Sequence, residues 1–80
     1  MPNPFSGITT ILFNVKDEAL AKICVCNLLG EKVFEEKIKT TYGNNIYELN
    51  CTNWNNGIYL YTIQYKNFSV TKRMVLTGNN

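Results

Sequence analysis

The feature that most constrains the fold is an alternating stretch, residues 56–65, in the second half of the chain. It opens with Asn-Gly, which tolerates the left-handed backbone of a tight turn, and continues without Gly or Pro. One face carries Tyr59, Tyr61, Ile63 and Tyr65, and the other carries Ile58, Leu60, Thr62 and Gln64. Because both faces begin apolar, we predict the chain's longest strand, in the middle of a sheet and covered on both sides where it begins.

The rest of the chain divides into short segments with strand patterns, separated by turn-forming residues. These segments are residues 9–15, 21–27, 32–38, 45–50 and 68–76, and we expect a loop at 39–44. The charges of segment 32–38 indicate a solvent-facing or edge strand. A polar loop at 51–57 holds Trp54, which we expect to cover one end of the fold. Six to seven antiparallel strands without a convincing helix predict an all-β fold of the β-sandwich type.

Length and charge exclude several classes of protein. Eighty residues make a single domain, with an entry segment at 1–7 and a flexible tail at 77–80. A net charge of +2 with dispersed cations does not favour nucleic acid as a partner. No apolar run approaches the roughly 18 residues of a membrane-spanning helix. The start of the chain does not resemble a signal peptide, so any leader for export is expected upstream.

The residue types that carry chemistry are few, and we predict neither catalytic residues nor a cofactor. The chain has no His, which removes most catalytic triads and mixed Cys/His zinc sites. Cys24 and Cys26 share a strand face with Cα atoms about 6.5–7 Å apart, at the limit of disulfide geometry. A bridge from Cys51 to either is open, but buried or half-buried free thiols are expected. The adjacent carboxylates Glu35 and Glu36 point to opposite faces, so they do not suit paired acid–base catalysis.

Four blocks, in this order, resemble one known family. Pro2-Asn3-Pro4-Phe5 resembles a Pro-Asn-Pro opening, and residues 27–33 resemble an Asp-x-x-Gly-(Lys/Arg/Glu)-x-Val hairpin in which Asn27 replaces the commoner Asp. Residues 56–61 resemble a (Ser/Asn)-Gly-(Ile/Val)-Tyr strand, and residues 71–76 resemble a closing Lys-(Lys/Arg) segment. Together they resemble the type A C-terminal sorting domain of the type IX secretion system of Bacteroidetes.

The resemblance implies a secretion signal with an immunoglobulin-like β-sandwich fold. Such domains stand at the end of secreted enzymes and adhesins, so an upstream cargo domain is expected. The implied partners are the outer-membrane translocon, shuttle and sortase proteins of the type IX system. A sortase-like protease usually removes the domain, and the cargo is secreted or held at the cell surface.

The hypothesis for the site is the last strand, which a partner would recognise by adding a strand to an open sheet edge. The residues are Lys72, Arg73, Met74, Val75 and Leu76, supported by Gly57, Ile58 and Tyr59. An open edge could also pair with a second copy of the chain to form a homodimer. The alternative function is an immunoglobulin- or fibronectin-like adhesion or carbohydrate-binding module, which exposed coplanar aromatic rings would favour and buried rings would not.

Overall fold

The computed structural model describes residues 7–77, which form six antiparallel strands and no helix. The strands are β1 (Ile8–Val15), β2 (Ala19–Asn27), β3 (Lys32–Thr40), β4 (Gly43–Asn50), β5 (Gly57–Tyr65) and β6 (Phe68–Leu76). The predicted Pro-Asn-Pro opening and the tail after Thr77 lie outside the described residues. The all-β prediction, with six strands in an immunoglobulin-like sandwich, is confirmed.

Two sheets of unequal size enclose the core. The small sheet pairs β1 with β4, and the large sheet has the order β3-β2-β5-β6. Period-2 alternation turns one side of each strand inward, where apolar side chains from both sheets meet. The fully buried residues include Ile11 and Leu49 of the small sheet and Ile23, Val25, Met74 and Leu76 of the large sheet. Burial of these side chains is what holds the two layers together.

The central strand β5 has one covered face rather than two. It lies between β2 and β6 as predicted, and Tyr59, Tyr61 and Ile63 are buried in the core. On its other side Leu60 is 37% exposed, so the prediction of cover on both faces is wrong. The small sheet covers only the inner face of the large sheet, and no described residue forms a layer over its outer face. The strand is also not the longest, since its nine residues equal those of β2, β3 and β6.

The predicted loop at 39–44 is mostly strand. The Oγ1 atom of Thr40 accepts a hydrogen bond from the Ala19 amide at 3.2 Å and donates to the Ala19 carbonyl at 3.0 Å, which extends the β2–β3 pairing. The Asn45 side chain accepts from the Thr41 amide and donates to the carbonyls of Thr41 and Gly43. These bonds satisfy the backbone of a tight crossing between the sheets, so only residues 41 and 42 connect β3 to β4.

The sandwich is closed differently at its two ends. At one end Trp54 packs against Tyr59 and Phe34, with ring centroids 5.3 and 6.3 Å apart, in keeping with its predicted place over an end of the fold. At the other end Asp17 of the β1–β2 turn accepts from the Tyr65 hydroxyl and pairs with Lys66 at 2.6 Å. Both contacts attach a loop to strand β5 or to the residue that follows it, so β5 holds the loops at both ends of the sandwich.

Candidate functional site

The predicted site strand, β6, lies at one edge of the large sheet, beside β5. Alternation along it divides the predicted site residues between two faces. Met74 and Leu76 point inward and are 0% exposed, so they belong to the core. Arg73 is exposed and Val75 is half-buried, and both lie on the outer side of the sheet. The structure therefore places only part of the predicted set where a partner could contact it.

Lys72 lies on the inner side of β6 but close to solvent. It is exposed, and its cross-strand partner on β5 is Tyr61, which points into the core. It lines a hollow of about 230 Å³ between β6 and β1, together with Leu12, Phe68 and Val70. Lys72 and Arg73 are thus adjacent in sequence but project from opposite faces, so they do not form one basic pair on a surface.

The outer edge of β6 offers backbone hydrogen-bonding groups. Tyr65 and Phe68 are direct partners on either side of a two-residue turn, Lys66-Asn67. Residues that flank such a turn exchange both backbone hydrogen bonds, and the pattern then alternates along the ladder. The N–H and C=O groups of residues 69, 71 and 73 therefore point away from β5, toward the edge. An extended partner segment could pair with these groups.

The supporting residues at the start of β5 hold the end of β6 in place. Gly57 is the partner of Leu76 and has a φ of 153°, a backbone conformation that side-chain-bearing residues rarely adopt. Tyr59 is buried beside its partner Met74, and its hydroxyl donates to the Asn55 carbonyl at 2.6 Å. Burial raises the pKa of Tyr59, so the hydroxyl stays a donor at neutral pH. Gly57 and Tyr59 therefore act on the strand's position rather than as contact groups.

A basic surface that the sequence reading missed covers the other side of the large sheet, which we call the outer face. Its cations are Lys22, Lys32, Lys37, Lys39 and Arg73, placed by their partners in the ladder. One row across the four strands runs Lys32, Cys26, Leu60, Arg73, with a cation at each end. Five of the chain's eight cations lie here with one carboxylate, a net charge of +4 against +2 for the whole chain.

That carboxylate, Glu35, is held by two neighbouring lysines. The Lys32 ammonium donates to it, and the Lys22 ammonium lies 3.6 Å away. The hydrogen bond from Lys32 and the charge of both lysines lower the pKa of Glu35, and the same contact raises the pKa of Lys32. Glu36 points to the inner side, where it accepts from the Tyr47 hydroxyl, so the prediction that these carboxylates diverge is confirmed.

The three cysteines are free thiols, as predicted. Cys24 and Cys26 are half-buried on the outer face, whereas Cys51 is fully buried in the core. Burial raises the pKa of Cys51, and burial together with the hydrogen bond to Cys26 raises the pKa of Cys24. These two thiols therefore remain protonated and weakly nucleophilic at neutral pH. Within residues 7–77 no group of three His, Cys, Asp or Glu side chains is placed to bind a metal ion.

The β2–β3 hairpin explains the unusual Asn27. Its Oδ1 accepts from the amides of Leu29 and Glu31, at 2.9 and 3.0 Å, and its Nδ2 donates to the Glu31 carboxylate at 2.8 Å. An Asp here would keep the two amide bonds but set its charge against that of Glu31. Gly30 takes a φ of 86°, which its lack of a side chain permits. The hydrogen bonds between Asn27 and Glu31 thus stabilise the hairpin.

Comparison with known families decides the identity of the chain. The family model described as the secretion system C-terminal sorting domain matches residues 1–77. The chain belongs to this family. The sorting domain is a type IX secretion signal, which marks proteins for export through the outer membrane to the cell surface or beyond. No curated protein and no solved structure matches the chain.

Membership of the family implies interaction with the type IX secretion machinery. In the part that the structure describes, no helix is long and apolar enough to cross a membrane. Nothing in the sorting domain favours the adhesion or carbohydrate-binding alternative. The rings of Tyr59, Tyr61 and Tyr65 are buried and Trp54 is half-buried, so these rings do not form an exposed platform.

Proposed function

We propose that the secretion machinery recognises the sorting domain through the open edge of β6, by adding a strand to the large sheet. The observation that carries the proposal is the edge position of β6, beside β5 in the sheet order. Strand addition draws affinity from backbone hydrogen bonds and specificity from alternate side chains. It therefore suits a signal that must be recognised on many unrelated cargo proteins.

Each residue of the predicted site has a role in this mechanism. Met74 and Leu76 fix the strand to the core, while Gly57 and Tyr59 hold it from β5. Lys72 and Arg73 stand on opposite sides of the edge, where they would flank an added strand on both faces. Val75 lies on the outer side next to Ile58, its partner on β5. The core residues supply position, and the two cations supply contacts.

The type IX assignment supports a proposal for the specific partners. We infer that translocon, shuttle and sortase proteins contact the sorting domain, and that residues 1–80 act as one signal unit behind a cargo domain. The domain itself serves as a signal and not as a catalyst, which agrees with the raised pKa of its Cys24 and Cys51 thiols. A homodimer through the same β6 edge would compete with the machinery for the added-strand position.

The variant T71P tests strand addition directly. The amide of Thr71 points away from β5, so Pro removes an edge donor and leaves the β5–β6 ladder intact. The control T71V also loses the 2.8 Å hydrogen bond between the Thr71 and Thr62 hydroxyls but keeps the amide. A reporter with a periplasmic leader and this chain at its C-terminus is expressed in a bacterium with a type IX system, and its export is measured.

We expect T71P to reduce export about tenfold, as loss of a backbone hydrogen bond and a steric block to pairing would. T71V should be exported like the unchanged chain. Circular dichroism of both purified variants checks that they remain folded. Normal export of a folded T71P would contradict recognition at this edge.

A further inference from the structure

The outer face of the large sheet combines positive charge with exposed apolar side chains. It carries a net charge of +4, while the remainder of the chain holds three cations and five carboxylates. Leu60 lies between the cations of its row and is 37% exposed, and Leu20, beside Lys39, is 61% exposed. A large part of this charge separation exists only in the folded sheet, because the five cations come from three strands.

One pair of these cations costs stability instead of adding to it. Lys22 and Lys37 are direct cross-strand partners, and like charges in that position are destabilising. Within residues 7–77, Lys37, Lys39 and Arg73 form no ion pair with a carboxylate. Since Lys37, Lys39 and Arg73 have no carboxylate partner among the described residues, these three cations are suited to binding another molecule.

Part of the positive charge of the outer face surrounds a hollow, which is a defined place where a ligand group could bind. It measures about 370 Å³ and is lined by Lys22, Lys37 and Lys66, with Leu20 and Gln64. Lys66 is paired with Asp17 at 2.6 Å, which leaves Lys37 and part of the charge of Lys22 to act on a ligand. The Lys37 ammonium, together with the partly paired Lys22 ammonium beside the same open depression, favours a carboxylate from outside.

We propose that the outer face docks an acidic protein surface of the secretion machinery, with apolar contacts at Leu60 and carboxylates around them. The inference rests on recognition of the folded sorting domain, but it does not require strand addition at β6. A second copy of this chain is disfavoured as the partner, because the cations of its outer face would repel the cations of the first. The apolar residues between the cations favour a protein over a simple polyanion, since protein interfaces bury an apolar centre inside a polar rim.

The charge reversal K37E tests the proposal, with K16E as its matched control. Lys37 lies on β3, the far edge of the sheet from β6, and Lys16 lies in the β1–β2 turn. Both are exposed, and neither forms an ion pair within the described residues. K37E also removes the repulsion with Lys22, so the variant should fold at least as well as the unchanged chain.

In the reporter export assay we expect K37E to reduce export about fivefold, because a reversed charge at an interface rim slows association with an acidic partner. K16E should be exported normally. Export of K37E at the unchanged level overturns the proposal. Binding of the chain to phosphatidylglycerol vesicles is measured in parallel. If K37E reduces vesicle binding as much as it reduces export, an anionic membrane replaces the acidic protein as the partner.

The two tests separate the two proposals. Loss of export with T71P and normal export of K37E leaves recognition at the β6 edge in place and removes docking at the outer face. The reverse result removes strand addition and supports the outer face. Photo-crosslinking from position 37, but not from position 16, to a subunit of the type IX machinery would support docking and identify the partner. A folded chain that gives no crosslink from position 37 during active export would count against it.

Discussion

The two faces of the large sheet are built by alternate residues of the same strands, yet they serve different purposes. The inner face is mostly apolar and closed by the small sheet, with Ile23 and Val25 fully buried. Between them on β2, Cys24 points to the outer face and is half-buried. Burial of the inner set supplies the free energy of folding, while the outer set is left free of that constraint and can carry charge.

In strand β6 a single sequence motif contributes residues to both faces of the sheet. Its closing block, residues 71–76, matches the family as one unit, but Met74 belongs to the core and Arg73 to the surface. A loss of export after substitution in this block therefore has two possible causes. One is unfolding of the domain, and the other is loss of a contact with the machinery.

The largest expected effect comes from comparing M74A with R73A. Met74 is fully buried, so M74A should lower the free energy of unfolding by about 2–4 kcal/mol, whereas R73A should change it by no more than about 0.5 kcal/mol. Urea denaturation measures both. We expect R73A to lose export while folded and M74A to lose it only as far as it unfolds. A destabilised R73A, or a stable M74A, would show that the two faces of the large sheet do not divide folding from recognition in this way.

Much of the fold follows from local patterns in the sequence. The strand at residues 68–76 has the predicted bounds, because a two-residue turn and the end of the alternation mark them. The inward side chains of β5 were also identified, since period 2 fixes which residues share a face. The charges of β3 indicated a solvent-facing or edge strand, and β3 lies at an edge of the large sheet. These features depend only on neighbours in sequence.

The outer face could not be predicted in the same way. Lys32 and Arg73 are 41 positions apart and share a row only because the sheet order places β2 and β5 between them. The register of Lys32 also depends on an irregularity between Val25 and Cys26, which strand periodicity does not reveal. Likewise, the exposure of Leu60 on the outer side of β5 follows from the lack of a third layer among the described residues, which local alternation does not reveal. The order and register of the strands, and not the composition of the chain, place these cations on one face of the sheet.

The neighbouring residues Glu35 and Glu36 allow the two faces to be tested one at a time, because their side chains point to opposite faces. On the inner side, burial and the hydrogen bond to the Glu36 carboxylate raise the pKa of Tyr47 to about 12. E36Q removes the carboxylate but not the burial, so the pKa of Tyr47 should fall while staying above 10. Ultraviolet titration of tyrosine ionisation, with Y47F to assign the signal, measures the change.

The sign of the stability effect follows from the direction of this shift. A pKa of Tyr47 raised above its ordinary value of 10 contributes stability that is present below pH 10 and is lost as the pH rises toward 12. E36Q should reduce the loss of stability between pH 10 and pH 12. An unchanged tyrosine titration in E36Q would show that the contact between the sheets does not control the proton on Tyr47.

The smallest expected effect lies on the outer face, at Glu35. Its pKa is lowered from 4.5 by Lys32 and then Lys22, so its ion pairs contribute stability above pH 4.5, which is lost as the pH falls through the lowered value. E35Q should therefore lower the melting temperature slightly at pH 7, and this difference should vanish in acid. Exposed pairs contribute little to stability, so the change is expected to be minor.

Export of E35Q separates stability from recognition on this face. The substitution removes the single carboxylate among five cations, which raises the local charge from +4 to +5 and releases Lys22 and Lys32 from their pairs. An acidic partner should then bind at least as well, although the domain is slightly less stable. Reduced export of a folded E35Q would mean that the ion pairs, and not the net positive charge, are what the partner requires. The outer face would then be recognised by its shape at the Lys32–Glu35 contact, and K37E should have no effect.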